Sequence, residues 1–425
     1  MTQLLTSGRH GVNTSSARPT QPGLRRFDEL ESYRGIAAVL IVVFHVYQYA
    51  RIGPGSRFAY QGTAAYTVLH QLDGLVDMFF VLSAFLLTRP IVTALLDEAP
   101  RVQGRGFLVR RALRIVPLYY VTVLIVWSAR NSGFPGDWRD LLEHLTFTQV
   151  FDSKRIFYTI GPAWALSVEA LFYLFLAVAA VTASHLLTRL ATRRTKVVAL
   201  IVSLLGLIAA SMAYKWWALD VAHVAPDRWA YWYNPLAKLD VFGFGMLLAV
   251  IAAAGRVELR TAARAGLRIS CLGLLAVAFV IRRPGTSAGL YFDTLSGLAF
   301  ALLLAASVLG PPGSRWQRAL ARRPLLLLGL FSYSIYLWHE PIMLFFGSHH
   351  LLISQQQALF PASAAALVVL AVLAGWLSYW AIEYPAMQLR ATFDSAGRFI
   401  DYYADNPSRR RRHNRTAEED AKLLL

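Results

Sequence analysis

Ten apolar runs, each roughly the length that spans a bilayer, follow one another along this chain. They fall at about 35–51, 69–88, 112–128, 162–183, 197–216, 234–254, 267–281, 289–309, 324–346 and 360–382. A hydrocarbon layer ~30 Å thick takes about twenty residues of helix, and inside it each backbone N–H and C=O must pair within its own segment. The expected fold class is therefore all-α: a polytopic transmembrane helix bundle of about ten spans. The composition agrees, with 56 % hydrophobic and only 16 % charged residues among 425, where soluble domains carry about a quarter charged.

The formal charge of +17 would suggest nucleic acid if it lay on one soluble face. Here Arg and Lys fall in the connectors and tails, which is the pattern of membrane topology and lipid headgroups, so nucleic acid is set aside and the bilayer is the expected surroundings. With the N-terminus inside, the inner connectors hold 18 Arg and Lys and the outer ones 11, which favours an N-in, C-in arrangement. Arg282 and Arg283 on the outside dissent. Residues 1–26, polar and without an apolar stretch, read as a disordered cytoplasmic tail and not a cleavable leader. Residues 27–390 read as the membrane domain and 391–425, with its RRRRHNR run, as a basic cytoplasmic tail. The outer connector 128–160 contains WRDLLEHLTFTQVF, amphipathic enough to lie on the membrane surface and a place to look for acceptor contacts. Cys271 is the sole cysteine, so neither an intrachain disulfide nor a Cys-rich metal site is available. No HExxH spacing and no Gly-rich phosphate loop is present.

Chemistry concentrates in a few intramembrane groups. In the first run, RGIAAVLIVVFH, Arg34 and His45 are eleven residues apart, close to three helical turns, so they share a face roughly 16 Å apart along the axis. That puts Arg34 at a water boundary and His45 near mid-membrane. Titratable groups at such depth mark function or pair across helices. Glu169 in WALSVEALFY and Asp77 in LVDMFFVLSAFL come out near the depth of His45, and His339 in SYSIYLWHEP somewhat further out, so one interior chamber is expected to gather them. For each, a structural hydrogen bond between helices is the competing reading, and for Glu383 it is the preferred one. Arg110, Arg111 and Arg114 sit at the inner boundary, with Arg111 and Arg114 on one helical face. With Arg34 they form a site for a phosphate-bearing ligand, or a plain positive-inside run.

Taken in order, Arg34 to His45, VDMFFVLSAFLL, RRALRIVPLYY, WALSVEALFY and SYSIYLWHEP resemble the membrane-bound acyltransferase-3 family over roughly Leu30 to Pro385. The resemblance implies an acyl-CoA-dependent O-acyltransferase in the plasma or inner membrane, with acetyl-CoA the expected co-substrate and no metal. Its acceptor would be a hydroxyl of a sugar, glycolipid or cell-envelope glycan, or of a small secreted metabolite such as a macrolide. His45 would be the catalytic residue, with Glu169 and then Asp77 as the acids that orient it. Arg34, Arg111, Arg114 and Arg110 would bind the donor, and His339, Tyr336 and Trp164 the acceptor. About forty residues follow the tenth run, so the periplasmic hydrolase-like domain fused to some members is not expected. Two positions depart from the common pattern: Ser32 and Ala84 stand where members usually have glycine. Direct transfer with His45 as general base and passage through an acyl-imidazole both fit the residues. A transporter or flippase of an envelope precursor, a non-enzymatic sensor and a homo-oligomer are left open by the sequence.

Overall fold

The protein's computed structural model describes residues 27–389 apart from 50, 53–56, 98–103, 132, 134, 256, 283–288, 290, 312, 350 and 352–359. The two expected tails therefore lie outside the described residues. The long helices are α1 (Asp28–Tyr49), α3 (Leu75–Leu96), α4 (Gly104–Arg130), α6 (Ala163–Leu187), α7 (Arg193–Trp216), α9 (Pro235–Ala254), α10 (Thr261–Ile281), α11 (Phe292–Val308), α14 (Ser332–Ser348) and α15 (Phe360–Ser378). Short helices join them: α2 (Ala64–His70), α5 (Trp138–Leu145), α8 (Trp229–Trp232), α12 (Arg315–Leu320), α13 (Arg323–Leu330) and α16 (Tyr384–Gln388). A two-residue ribbon, Arg51–Ile52 against Arg57–Phe58, is the strand structure among the described residues. Local chemistry starts several of these helices. Thr192 and Thr195 form a capping box on α7, and Asn234 caps α9 ahead of Pro235 at its first turn.

Among the described residues, eight helical segments are long and apolar enough to cross a membrane. Their most apolar windows are 61 % and 67 % buried for α1 and α3, against 11 % and 17 % for α7 and α10. The first pair therefore lies at the centre, while α7 and α10 turn side chains such as Val202, Ile269 and Leu272 outward. Water would penalise that surface at roughly 25 cal/mol per Å², whereas lipid does not. The chain is an all-α, multi-pass membrane bundle.

Several boundaries differ from the sequence reading. The seventh run, expected to be short, is a 21-residue helix, α10, because Thr261–Gly266 extends it. The eighth is shorter than expected, 17 residues in α11. The ninth divides into α13 and α14 at Phe331. The second starts later and runs on through Pro90 to Leu96.

Close approaches explain two glycines and both departures from the family pattern. A Cβ on Gly329 would lie 2.1 Å from the Glu31 carbonyl oxygen, so α13 can lie on the start of α1 only without a side chain there. Ala84 of α3 faces Gly245 of α9, where a Cβ would meet the Val81 carbonyl at 2.3 Å and Ala84 Cβ at 2.8 Å. The extra methyl on α3 is thus matched by a bare backbone on α9. Ser32 is fully buried and donates a hydrogen bond to the Leu320 carbonyl.

Candidate active site

The end of the bundle that carries Arg34 is called here the basic end and the opposite one, with Tyr49, the far end. His45 lies four residues before the end of α1, ~6 Å along the axis. It is thus nearer the far end than the mid-membrane expectation, because α1 starts earlier than the apolar run and extends back to Asp28. Its Nδ1 is 3.0 Å from the Ile41 carbonyl oxygen and 3.1 Å from His339 Nε2. His339 in turn sets its Nδ1 2.5 Å from the Tyr336 carbonyl oxygen. A carbonyl can only accept, so Nδ1 of each ring carries the proton. His339 Nε2 then accepts from His45, and the available lone pair of His45 is on Nε2. Two carbonyls on two helices thereby fix the tautomer of both rings. Among the described residues no group of three His, Cys, Asp or Glu side chains is arranged to hold a metal ion.

His45 opens on a chamber of about 290 Å³ at the far end. Asp77, Trp164, Tyr336, Lys238 and Glu340 share its wall. Asp77 is 2 % exposed and its Oδ2 has no hydrogen-bond partner. Tyr336 donates to the Pro162 carbonyl at 2.8 Å, which fixes the start of α6 against α14. Glu340 accepts from Tyr49 Oη at 2.9 Å and from the Gly161 N–H at 2.5 Å. A Cβ on Gly161 would sit 2.6 Å from Glu340 Oε1, so a side chain there would push the carboxylate aside. Lys238 is 2 % exposed, pairs with Asp293, and holds its ammonium 5.4 Å and 5.0 Å from the rings of Trp164 and Tyr233. Lys238, Glu340, Asp293 and Tyr49 were not singled out from sequence. A lysine inside the apolar run 234–254 was the available signal, since an intramembrane charge asks for a role or a partner.

Of the expected site residues, the structure brings His45, Asp77, Trp164 and Tyr336 together around this chamber, with His339 in contact with His45. Glu169 goes elsewhere. Its carboxylate accepts from Ser83 and, at 2.6 Å, from Tyr173 Oη. Ser83 is six residues along α3 from Asp77, so Glu169 sits ~9 Å nearer the basic end than Asp77. The expectation that both acids lie at one level is corrected: Asp77 occupies the first turn of α3, which starts later than the apolar run suggested. His339, expected to bind the acceptor, touches His45.

At the basic end Arg34 pairs with Glu31 at 3.4 Å on its own helix. Arg114 lies in the field of Glu383 and Glu31, and Tyr173 in that of Arg111 and Arg34. Arg34, Arg111 and Arg114 therefore surround a common region between α1, α4 and α6. Arg110, one residue from Arg111 and so on another side of α4, is 7 % exposed. Glu383, in the turn between α15 and α16, accepts from Ser334. On the loop that follows α4, Asp140 and His144 of α5 point inward while Trp138 and Leu142 point out. Leu141 and Leu145 of the same helix pack on the core, so α5 divides its apolar residues between the bundle and the outer surface, where Trp138 and Leu142 can meet a membrane surface.

Comparison with known proteins gives the family. A family model described as an acyltransferase domain matches residues 27–380. Peptidoglycan O-acetyltransferase OatA of Listeria monocytogenes is 25 % identical over 291 residues, covering 63 % of this chain and 44 % of its own. O-acetyltransferase OatA of Staphylococcus aureus is 23 % identical, covering 73 % and 52 %. The chain thus spans about half the length of these curated relatives. Exopolysaccharide production protein ExoZ of Rhizobium meliloti is 28 % identical, covering 76 % of this chain and 93 % of its own. No solved structure matches. With the family model covering most of the described bundle, the histidine chamber and the arginine cluster alike, the chain belongs to the acyltransferase-3 family.

Proposed function

We propose that the protein is an O-acyltransferase that moves a short acyl group, acetyl in the simplest case, from cytoplasmic acyl-CoA to a hydroxyl of an envelope glycan. The observation that carries this reading is the His45–His339 pair, which leaves the lone pair of His45 on Nε2, in a residue that lines a chamber of about 290 Å³. The basic end faces the cytoplasm, as the excess of Arg and Lys there favours, with the chain multi-pass in the plasma or inner membrane and ten crossings in all. Residues 27–390 form the membrane domain. Arg34, Arg111 and Arg114 receive the phosphates of the donor, which displace the Glu31 carboxylate from Arg34. The pantetheine arm passes Glu169 and presents the thioester in the chamber.

There His45 Nε2 takes the proton of the acceptor hydroxyl as its oxygen attacks the thioester carbonyl. The C–O bond forms, the C–S bond breaks, and the proton passes from His45 to the departing thiolate. Imidazole suits the task because its ordinary pKa of ~6.5 leaves it neutral and basic near pH 7. His339 is a positioning residue: it holds Nδ1 protonated and the ring in place. Lys238 offers positive charge to the oxyanion of the tetrahedral intermediate, and Trp164 and Tyr336 border the acceptor. The names of the relatives, which speak of peptidoglycan O-acetylation and exopolysaccharide production, support a glycan as acceptor.

The test is transfer of labelled acetyl from acetyl-CoA in membranes carrying wild-type protein or His45→Ala. Loss of the labelled product with the variant folded supports the reading. Undiminished transfer by His45→Ala ends it.

A further inference from the structure

A second, larger cavity adjoins the chamber on the far end. Its volume is about 1160 Å³, some four times that of the chamber and above the usual range of ~300–1,000 Å³ for small-ligand pockets. Asp73, Tyr233 and Asp293 line both spaces, so these three side chains form the throat between them. An aromatic track runs through it. Trp229 in the larger cavity meets Tyr233 edge-on at 5.9 Å, and Tyr233 meets Trp164 of the chamber edge-on at 4.4 Å. Tyr66 and Trp232 add two further rings to the larger wall.

Polar groups on that wall are set in neutralising pairs. Arg282 grips Asp73 with two hydrogen bonds of 2.5 Å and reaches Gln71 at 3.3 Å. Lys215 bonds Asp240 and Thr294, each at 2.7 Å, and Lys238 bonds Asp293. A wall of this kind has donors and acceptors but little net charge to offer an anion. A lipid tail would leave those polar groups unpaired, at a cost. A neutral ligand that alternates hydroxyl edges with apolar C–H faces meets both kinds of lining, because aromatic rings take the faces and the paired side chains take the edges.

We propose that this vestibule is a multi-unit saccharide site: two or more consecutive neutral sugar units bind along Trp229 and Tyr233, and the unit to be acylated passes the Asp73–Tyr233–Asp293 throat toward His45. The proposal rests on the reading that the acceptor reaches His45 from the far end. It adds the class of acceptor, an oligosaccharide and not a single sugar or a macrolactone.

The test is quenching of intrinsic tryptophan fluorescence in the full-length protein in lipid nanodiscs. The probes are chitin- and cellulose-derived oligosaccharides of one, two and four units, with erythromycin as the macrolactone. The expected result is affinity that rises at least tenfold from one to four units in one of the two series, falls at least tenfold in Trp229→Ala, and persists in His45→Ala. Tyr66→Leu, on the same wall, serves as a second variant should Trp229→Ala fail to fold, with the same fall expected. Equal affinity for one and four units, tighter binding of erythromycin, no binding of either series, or binding indifferent to the vestibule variant would each overturn the proposal. Length-dependent binding without acetyl transfer from acetyl-CoA would support the vestibule and refute the donor assignment, so the two readings fail separately.

Discussion

The two ends of the bundle carry charge in opposite ways. At the far end each buried cation is tied to a carboxylate on another helix. Lys215 of α7 meets Asp240 of α9 with side chains 3 % and 0 % exposed, and Lys238 of α9 meets Asp293 of α11. Just beyond α10, Arg282 clamps Asp73 ahead of α3. At the basic end the pairs are of another kind: Arg34 meets Glu31 on its own helix at 3.4 Å, with side chains 18 % and 40 % exposed, and Arg193 meets Asp97 at 2.7 Å with both side chains about half exposed. Dry pairs across helices fix the geometry of cavity walls. Wet pairs can exchange one anion for another at little loss, which is what a phosphate site on the cytoplasmic side needs.

The sharpest way to break this comparison is through the chamber itself. His45→Ala is expected to lower acyl transfer by on the order of 10²–10⁴-fold, with thermal unfolding unchanged in detergent. His339→Gln is expected to lower kcat by on the order of 10²-fold with little effect on KM, since Ile41 still holds one acceptor for the His45 proton. A shift in KM alone would remove its positioning role.

The far end should respond in stability. Lys215→Met leaves the Asp240 carboxylate buried without its cation and is expected to destabilise the protein by about 3–5 kcal/mol, read from unfolding in detergent. The basic end should respond in donor affinity. Arg34→Gln is expected to raise KM for acetyl-CoA about tenfold, the size of one charge-assisted hydrogen bond, while stability shifts by less than ~1 kcal/mol. Raising ionic strength should raise the wild-type KM in the same direction. If Arg34→Gln unfolded the protein and Lys215→Met did not, the contrast between the ends would be reversed.

The smallest effect concerns the loop over the far end. Burial pushes the Asp137 and Asp152 carboxyls up, but backbone N–H groups and Arg155 outweigh it and hold both below the usual carboxylate range. With folded values below the unfolded ~3.9, their contribution is fully present above that pH and is lost as pH falls through the folded values. Proteolysis at Lys154 and Arg155 should therefore be flat from pH 8 to 5, and hydrogen exchange of residues 137–155 should speed only below about pH 4.

Arg282 shows how far sequence reasoning reached. As a cation on the outer side it contradicted the charge bias, and the linear chain offered no reason for it. Asp73 lies more than two hundred residues away, and only folding brings it to a bidentate clasp. His339 teaches the same lesson. Its identity and burial were legible in SYSIYLWHEP, but its partner was not, because nothing in the local pattern tells an imidazole aimed at substrate from one aimed at His45. Glu169 was read as the orienting acid from its depth and from the family resemblance, and neither tells which face of a bundle a side chain meets.

The sequence by itself determined the solvent, the fold class and the family. Apolar runs of bilayer length leave helices as the available answer, and a handful of ionisable groups too expensive to bury idly mark the chemistry. Tertiary structure alone decided which of those groups meet. Helical period fixes a side chain's direction about its own axis, but the pairing of faces depends on where small residues such as Gly245 and Gly329 let two backbones close.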